Sequence, residues 1–227
     1  MKKYLILSDS HGMENRLISA VYDHSDATAV IFLGDGMSDL ACAKLMYPNL
    51  TYYAVKGNCD WCNDLYHGIY CPEEQVITLE GHKLFLTHGH MYGAKFSTES
   101  LLRRALVLDC EAVLFGHSHI PLDVYGKADA DAPLCHLFNP GSLGRPYCGE
   151  PSYGLLQISE KDGLIFTEDE ASKFPRIIHG LFENLFNFVF DVIHNYICQT
   201  NLRAPRKAVC TILSEILVGS DPVNSIA

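Results

Sequence analysis

The residues best suited to chemistry in this sequence are two histidines, His117 and His119, that follow an apolar run at 111–115. The run has the length and composition of a buried β-strand. Two imidazoles one residue apart at the end of a strand can face the same pocket, and Gly116 allows a sharp backbone turn beneath them. This spacing is typical of metal ligands, whereas surface loops carry such pairs by chance.

The same pattern of an apolar run followed by polar residues occurs at four earlier places. These supply five further candidate ligands: Asp9, His11, Asp35, Asn58 and His88. Ordinary alternatives exist, since Asp9 could cap a helix, Asp35 could occupy a turn and Asn58 could adopt a left-handed turn. Because ligands of open α/β sheets gather at the carboxyl ends of the strands, we expect these side chains to converge there.

A set of seven such residues suits two divalent cations that share one carboxylate, and Asp35 is the expected bridge. Oxygen and nitrogen donors without thiolate fit two divalent ions, Mn²⁺ first, with iron, zinc, cobalt or nickel as alternatives. Two ions of this kind clamp a phosphoryl group, lower the pKa of a water and direct the resulting hydroxide in line with the leaving oxygen.

The elements that must position these residues alternate in the first part of the chain. Strands are predicted at 4–7, 28–33 and 50–55, and helices at 13–24 and 38–46. After an irregular stretch at 61–72, a hairpin at 76–86, a helix at 96–108 and strands at 122–125, 134–138, 153–158 and 163–166 are predicted. This order predicts an α/β fold with partly parallel, partly antiparallel sheets, one packed on the other.

Composition argues against several classes of protein. A net charge of −10 argues against a broad electrostatic surface for nucleic acid or an anionic membrane. The nine cysteines form no paired framework and no secretory signal begins the sequence, so we expect reduced thiols and a cytoplasmic location. Cys59 and Cys62 form one CxxC that suits redox or zinc chemistry, but no second CxxC accompanies it.

Six motifs follow one another along the chain. They are Asp9-x-His11, Gly34-Asp35, Gly57-Asn58-Cys59-Asp60, His88-Gly89-His90, Gly116-His117-x-His119 and Asn139-Pro140-Gly141-Ser142. In this order and spacing the chain resembles the calcineurin-like metallophosphoesterases over residues 1–170, most closely the YfcE-type small phosphodiesterase branch.

The resemblance implies a four-layer α/β/β/α sandwich and a division of the ligands. One metal ion would be held by Asp9, His11, Asp35 and His119. The other would be held by Asp35, Asn58, His88 and His117.

The chain departs from the wider family at Cys59, where many members carry a histidine that steadies the transition state or protonates the leaving group. A thiol does this poorly, so we expect a preference for esters whose leaving group needs little protonation, unless His90 or a water substitutes. The small phosphodiesterase branch itself commonly carries cysteine there. The catalytic candidates are therefore Asp35, Asn58 and His90, with support of a ligand or a turn as the alternative role of His90.

Three other residues near these motifs are not predicted to be metal ligands. Arg145 could hold a substrate phosphate, but an exposed loop position without such a role is slightly favoured. Asp60 is predicted to support the ligands or form a turn rather than bind metal, and Cys62 is predicted to be structural.

Residues 171–227 lie outside the resemblance and are predicted to form an amphipathic helical extension. Apolar residues follow helical spacing over 177–197, and a second helix is predicted at 206–217 after Pro205. Packing on its own domain, a homo-oligomer interface and attachment to a membrane surface are the alternatives, in that order. Polar interruptions argue against a spanning helix, so no stable membrane insertion is expected.

The expected function is a metal-dependent phosphodiesterase acting on a small phosphate ester by attack of a metal-activated hydroxide, with no nucleic acid as partner. A protein-binding scaffold with little or no catalysis is one alternative, because the small subunit of the retromer coat has this fold. A phosphomonoesterase or nucleotidase is another and would differ in pocket shape. All seven ligand positions are filled here, which favours the enzyme.

Overall fold

The structure, a computed structural model, describes residues 1–159, 161 and 163–171. Its helices are α1 (Glu14–Asp23), α2 (Met37–Met46) and α3 (Glu99–Leu108), with a 3₁₀ turn at His90–Tyr92. Its strands are β1 (Lys2–Leu7), β2 (Ala29–Phe32), β3 (Thr51–Ala54), β4 (Leu65–Tyr66), β5 (Ile69–Tyr70), β6 (Glu74–Leu79), β7 (His82–Thr87), β8 (Ala112–Leu114), β9 (Leu122–Gly126), β10 (Cys135–Asn139), β11 (Ser152–Ser159) and β12 (Gly163–Glu170).

Two five-stranded mixed sheets form the body of the fold. The first has the order β12-β11-β1-β2-β3, in which β1, β2 and β3 are parallel and β11 and β12 are antiparallel. The second has the order β6-β7-β8-β10-β9, in which β7, β8 and β10 are parallel. Each sheet therefore has parallel central strands whose carboxyl ends meet at one edge.

Three apolar cores separate four layers. One core joins α1 and α2 to the first sheet, a second lies between the two sheets, and a third joins α3 to the second sheet. Ile6 and Ile31 of the first sheet meet Leu84 and Leu114 of the second in the middle core. The predicted α/β/β/α sandwich is confirmed.

Strand β1 shows why the central strands read as continuous apolar runs. Leu5 and Leu7 face the helices, while Tyr4 and Ile6 face the other sheet. Alternate side chains point to opposite faces of a strand, so a strand covered on both sides must be apolar throughout. Burying each leucine or isoleucine contributes about 1.5–3 kcal/mol to folding.

The predicted elements match the observed ones except at two places. The stretch 61–72, predicted to be irregular, contains the small hairpin of β4 and β5, whose two-residue strands are too short to show periodicity. Helix α3 begins at Glu99 rather than at 96, because the amides of Phe96 and Ser97 both donate to the carbonyl of Gly93 in a tight turn.

The predicted extension at 171–227, with helices at 177–197 and 206–217, lies outside the described residues after Ala171. Its boundary and its role stay predictions. Among the described residues, every helix is too short or too polar to cross a membrane.

Candidate metal centre

The candidate ligands occupy loops at the carboxyl ends of parallel strands in both sheets. The first sheet supplies Asp9 and His11 after β1, Asp35 after β2 and Asn58 after β3. The second sheet supplies His88 after β7 and both His117 and His119 after β8. The face-to-face packing of the sheets brings these two groups of loops together.

Five of these candidates have a left-handed backbone. Their φ angles lie between 45° and 66°, a region that side chains other than glycine rarely adopt, and the residues are Asp9, His11, Asp35, His117 and His119. Such strain costs on the order of 1–3 kcal/mol per residue and persists at sites that function requires. Hydrogen bonds from Asp9 N to Gly34 O (2.9 Å) and from His11 N to Asp35 O (3.0 Å) hold the two loops against each other.

Three imidazoles surround one oxygen of the buried Asp9 carboxylate. Its Oδ1 lies 3.1 Å from His119 Nε2, 3.7 Å from His11 Nε2 and 3.9 Å from His88 Nε2. Asp9 Oδ2 accepts hydrogen bonds from Ser8 Oγ (2.5 Å) and from the amide of His117 (3.0 Å). One oxygen is thus held by the protein and the other faces the imidazoles.

The two oxygens of the Asp35 carboxylate likewise have different partners. Its Oδ1 accepts the amide of Cys59 at 2.7 Å, which fixes the group in place. Its Oδ2 lies 3.7 Å from His11 Nε2 and 3.5 Å from His88 Nε2. This oxygen is therefore almost equally distant from the two imidazole nitrogens.

Hydrogen bonds to backbone carbonyls orient two of the imidazoles. His88 Nδ1 donates to Leu33 O at 2.6 Å, and His119 Nδ1 donates to the carbonyl of Arg145. An N–H donated at Nδ1 leaves the Nε2 lone pair for a metal ion, as is usual for histidine ligands.

At the edge of the cluster His90 Nδ1 is buried without a hydrogen bond, and the same holds for two atoms of the candidate ligands, Asp9 Oδ1 and His88 Nε2. Both side chains are fully buried, and a buried polar atom without a partner costs about 1–3 kcal/mol. A cation between them would satisfy both atoms. The carboxylates and imidazoles of Asp9, His11 and His119, and those of Asp9, Asp35 and His88, each lie close enough together to hold an ion. The residues present therefore fit a metal ion.

The pKa shifts of His117 and Asp35 favour the forms of these two side chains that bind a metal ion. Burial, reinforced by the positive charge of His88 and Lys95, lowers the pKa of His117 to about 4, which keeps its imidazole neutral. Burial acts to raise the pKa of Asp35, but the nearby positive charge of His88 and the hydrogen bond from the amide of Cys59 outweigh it and hold this pKa well below its usual range.

The other predicted site residues lie at the edge of the cluster. The His117 ring centroid is 5.1 Å from that of His88 and 6.1 Å from that of His90. Asn58 is exposed, and its Nδ2 donates to Cys59 Sγ at 3.3 Å. His90 Nε2 lies 3.8 Å from Glu73 Oε2. The Arg145 side chain is exposed, and this residue acts on the centre through its carbonyl.

Cys59, at the position where many family members carry a histidine, also lies at the centre. It offers a sulfur close to donor atoms of His11 and Asp35. Burial, followed by the hydrogen bond and charge of Asp35, raises the pKa of this thiol to about 11. The thiol is therefore protonated near neutral pH, which agrees with a ligand set of oxygen and nitrogen.

Asp60 supports the centre as predicted, through the backbone. Its carboxylate accepts hydrogen bonds from the amides of Asp35 (2.7 Å), Gly36 (2.9 Å), Met37 (2.9 Å) and Gly57 (2.8 Å). The Asp60 carboxylate therefore holds the loop after β2 against the loop after β3. It also accepts hydrogen bonds from free N–H groups at the N-terminus of α2.

Sequence reasoning missed a similar role for Asp39. Its Oδ2 accepts hydrogen bonds from Ser10 Oγ (2.6 Å) and from the amide of Gly12 (2.9 Å), which holds the loop that carries Asp9 and His11. The available signal was an acidic residue in the first turn of α2, which a helix dipole explains equally well.

The Asn139-Pro140-Gly141-Ser142 motif also acts by support. Asn139 Nδ2 donates to Gly116 O (2.9 Å), and Ser142 Oγ donates to Asp9 O (2.8 Å). These bonds join the loop after β10 to the loops that hold ligands from both sheets.

Residues 2–161 match the family model described as the calcineurin-like phosphoesterase superfamily domain. The chain belongs to this family. It is 32% identical over 169 residues to the probable metallophosphoesterase YsnB of Bacillus subtilis, covering 74% of this chain and 90% of that protein. It is 30% identical over 175 residues to the phosphodiesterase YfcE of Escherichia coli, covering 69% of this chain and 88% of that protein.

Solved structures share the fold of this chain. The structure of YfcE from Escherichia coli matches with a TM-score of 0.52 and 24% identity, covering 74% of this chain and 99% of that one. Vps29 from Entamoeba histolytica, solved in complex with Zn²⁺, matches with a TM-score of 0.53 and 18% identity, covering 74% of this chain and 99% of that one. Calcineurin-like phosphoesterases are metal-dependent hydrolases of phosphate esters, and the chain carries their fold and candidate metal-ligand clusters.

Proposed function

We propose that this calcineurin-like phosphoesterase is a phosphodiesterase that hydrolyses small phosphate diesters at a centre of two divalent metal ions. One observation carries the proposal: Asp9 Oδ1 and His88 Nε2 are buried, face each other across the cluster and make no hydrogen bond. Most buried polar atoms are paired in native proteins, so two unpaired donor atoms of candidate ligands 3.9 Å apart support a cation between them.

Seven side chains are assigned to the two ions. Asp9, His11, Asp35 and His119 would hold one ion, and Asp35, Asn58, His88 and His117 would hold the other. The position of Asp35 Oδ2 between His11 and His88 supports its assignment to both. The oxygen and nitrogen donors fit Mn²⁺ first, with iron, zinc, cobalt and nickel as alternatives.

When bound, the ions would neutralise the phosphoryl oxygens and lower the pKa of a water molecule. The chain itself supplies the fixed geometry: Asp60 and Asp39 hold the ligand loops, and the sheets exclude water beneath the cluster. His90 is assigned the proton of the leaving group, because its ring lies 6.1 Å from that of His117 and is positioned by Glu73.

The first test is hydrolysis of bis(p-nitrophenyl) phosphate after chelation and readdition of Mn²⁺, followed by the release of p-nitrophenolate. We expect turnover that depends on the metal and a loss of at least about 100-fold in Asp35→Asn, because this change removes the shared charge. The matched control is Asp109→Asn, whose carboxylate is 97% exposed and which precedes β8, whereas the ligands His117 and His119 follow that strand. Equal turnover by wild type and Asp35→Asn would reject the proposal.

The same assay decides between this proposal and its competitors. Faster hydrolysis of p-nitrophenyl phosphate than of the diester would indicate a phosphomonoesterase or nucleotidase. Binding of two ions without hydrolysis of either ester would indicate a protein-binding scaffold. The likeness to Vps29 shows a shared fold only, so the scaffold remains the second candidate.

A further inference from the structure

An open cleft of about 530 Å³ lies next to the candidate metal centre and plays no part in the ligand set. Its volume falls within the roughly 300–1,000 Å³ typical of small-molecule sites. It is formed by the loop after β3 and the stretch around β4 and β5. Its lining includes Lys56, Asp60, Trp61, Tyr66 and Glu73.

Two residues of the cleft connect it to the centre. Asp60 accepts the amide of Asp35 at 2.7 Å, and Glu73 Oε2 lies 3.8 Å from His90 Nε2. A diester whose phosphate lies at the metal centre can therefore extend one of its alcohol groups into the cleft.

Trp61 is the exposed aromatic residue of the cleft. It is the single tryptophan of the chain, and 96% of its surface is accessible. Its neighbours Cys62 and Tyr66 pack against the core under the first sheet, so the backbone is anchored while the indole stays uncovered. A large exposed aromatic on an anchored loop beside a reactive site presents a π-face for stacking.

Charge in the cleft restricts what can bind there. Lys56 Nζ is already paired with Asp64 Oδ1 (2.8 Å) and Glu73 Oε1 (3.5 Å). The carboxylates of Asp60 and Glu73 outnumber this one lysine along the lining. A second phosphate would be repelled there, whereas an uncharged group would not be.

We propose that Trp61 is the stacking platform for the uncharged, flat-ring alcohol portion of the diester, for which a nucleoside is the representative ligand. The proposal rests on the proposed function and adds the substrate class. Stacking is tolerant of base identity because every base has a π-face, so several nucleosides should be accepted.

The kinetic test compares two methyl diesters, adenosine 5′-phosphate methyl ester and glycerol 3-phosphate methyl ester, with products separated by chromatography. We expect Trp61→Ala to lower kcat/KM for the adenosine ester about tenfold, the range that loss of one stacked base produces. The glycerol ester should be unaffected, and Trp61→Phe should recover most of the loss. Tyr22→Ala is the matched control, because Tyr22 is a 47% exposed aromatic near the end of α1 away from the ligand loops.

A fluorescence titration tests the same contact without turnover. The single tryptophan reports directly on stacking, so adenosine added to the full chain in Mg²⁺ buffer should quench its emission along a saturable curve. Ribose should leave the emission unchanged. Quenching that rises linearly, as for free N-acetyltryptophanamide, would overturn the proposal.

The outcomes distinguish the stacking site at Trp61 from the proposed phosphodiesterase function. Hydrolysis of bis(p-nitrophenyl) phosphate together with equal loss on both methyl esters in Trp61→Ala would leave the function standing and reject the stacking site. Absence of any diester hydrolysis would reject the function, and the titration would then decide the stacking site by itself.

Discussion

Single side chains at this centre are held by bonds that extend well beyond the ligands. The carboxylate of Asp60 collects four backbone amides, including that of Asp35, and so fixes the position of the residue assigned to both ions. A charged acceptor of several N–H groups stabilises a loop more than a neutral acceptor does, because each hydrogen bond is charge-assisted.

Asp60→Asn should therefore weaken metal binding about 10- to 100-fold, the usual effect of losing a supporting group. The amide side chain keeps the size but loses the charge and one acceptor. Calorimetric titration with Mn²⁺ measures the change, with Asp64→Asn as the control because Asp64 is exposed and pairs with Lys56 at the surface. Unchanged affinity in Asp60→Asn would show that the loop holds its shape without this residue.

Gly57 provides a second test of local geometry. A Cβ at this position would lie 2.1 Å from Asp35 Oδ1, a distance that no real contact tolerates. Gly57→Ala should displace the Asp35 carboxylate and remove metal-dependent hydrolysis, while far-ultraviolet circular dichroism stays that of the wild type. Gly81→Ala is the control, since nothing lies within 4 Å of a Cβ there, although its positive φ adds some strain. Wild-type rates in Gly57→Ala would contradict the assigned position of Asp35.

Among the secondary-structure elements, α3 is joined to the edge strand β6 by a charged pair. Glu74 pairs with Arg104 and accepts a hydrogen bond from the hydroxyl of Tyr92. The hydrogen bond with Arg104 is the main cause of the lowered pKa of Glu74. Burial of the carboxylate opposes this effect. These bonds connect the helical layer to the edge strand of the second sheet.

A lowered folded-state pKa means that this pair stabilises the fold above the ordinary carboxyl pKa, and that the contribution is lost as the pH falls through the folded-state pKa. Glu74→Gln should therefore lower the free energy of unfolding near neutral pH by less than about 1 kcal/mol, since the pair is partly exposed. The difference from wild type should vanish in strong acid. Urea unfolding from pH 3 to pH 7 measures it, and a constant difference across that range would exclude the ionic contribution.

For the molecule as a whole, the two sheets and the ligand loops depend on each other. The strained backbone at five ligand positions and the two buried atoms without hydrogen bonds oppose folding. Bound cations would offset both, because anything that binds only the folded state stabilises it by mass action.

Chelation should therefore lower the melting temperature. At a free Mn²⁺ concentration about 100 times Kd the stabilisation is about 2.7 kcal/mol. For a domain of this size that corresponds to a shift of roughly 5–10 °C. Scanning calorimetry with EDTA and with Mn²⁺ measures the shift, which should nearly disappear in Asp35→Asn. An equal shift in that variant would place the stabilising ion elsewhere.

Much of this molecule can be predicted from local pattern. The apolar runs at β1, β2 and β8 and the motifs that follow them were enough to predict two mixed sheets and a cluster of ligands at their edge. These features are readable because strand burial and turn chemistry act over a few residues. The short hairpin of β4 and β5 was not readable, since two-residue strands have no periodicity.

Only the packing of one sheet on the other decided which atoms meet. Asp9 and His119 lie 110 residues apart, and their approach to 3.1 Å depends on contacts between sheets that no local pattern records. The same holds for Asp60 and Asp39, whose carboxylates act on amides of other loops and look in the sequence like ordinary turn or helix residues. The sequence therefore determined which ligand side chains were available. Tertiary contacts determined their geometry, because metal sites are built from residues distant along the chain.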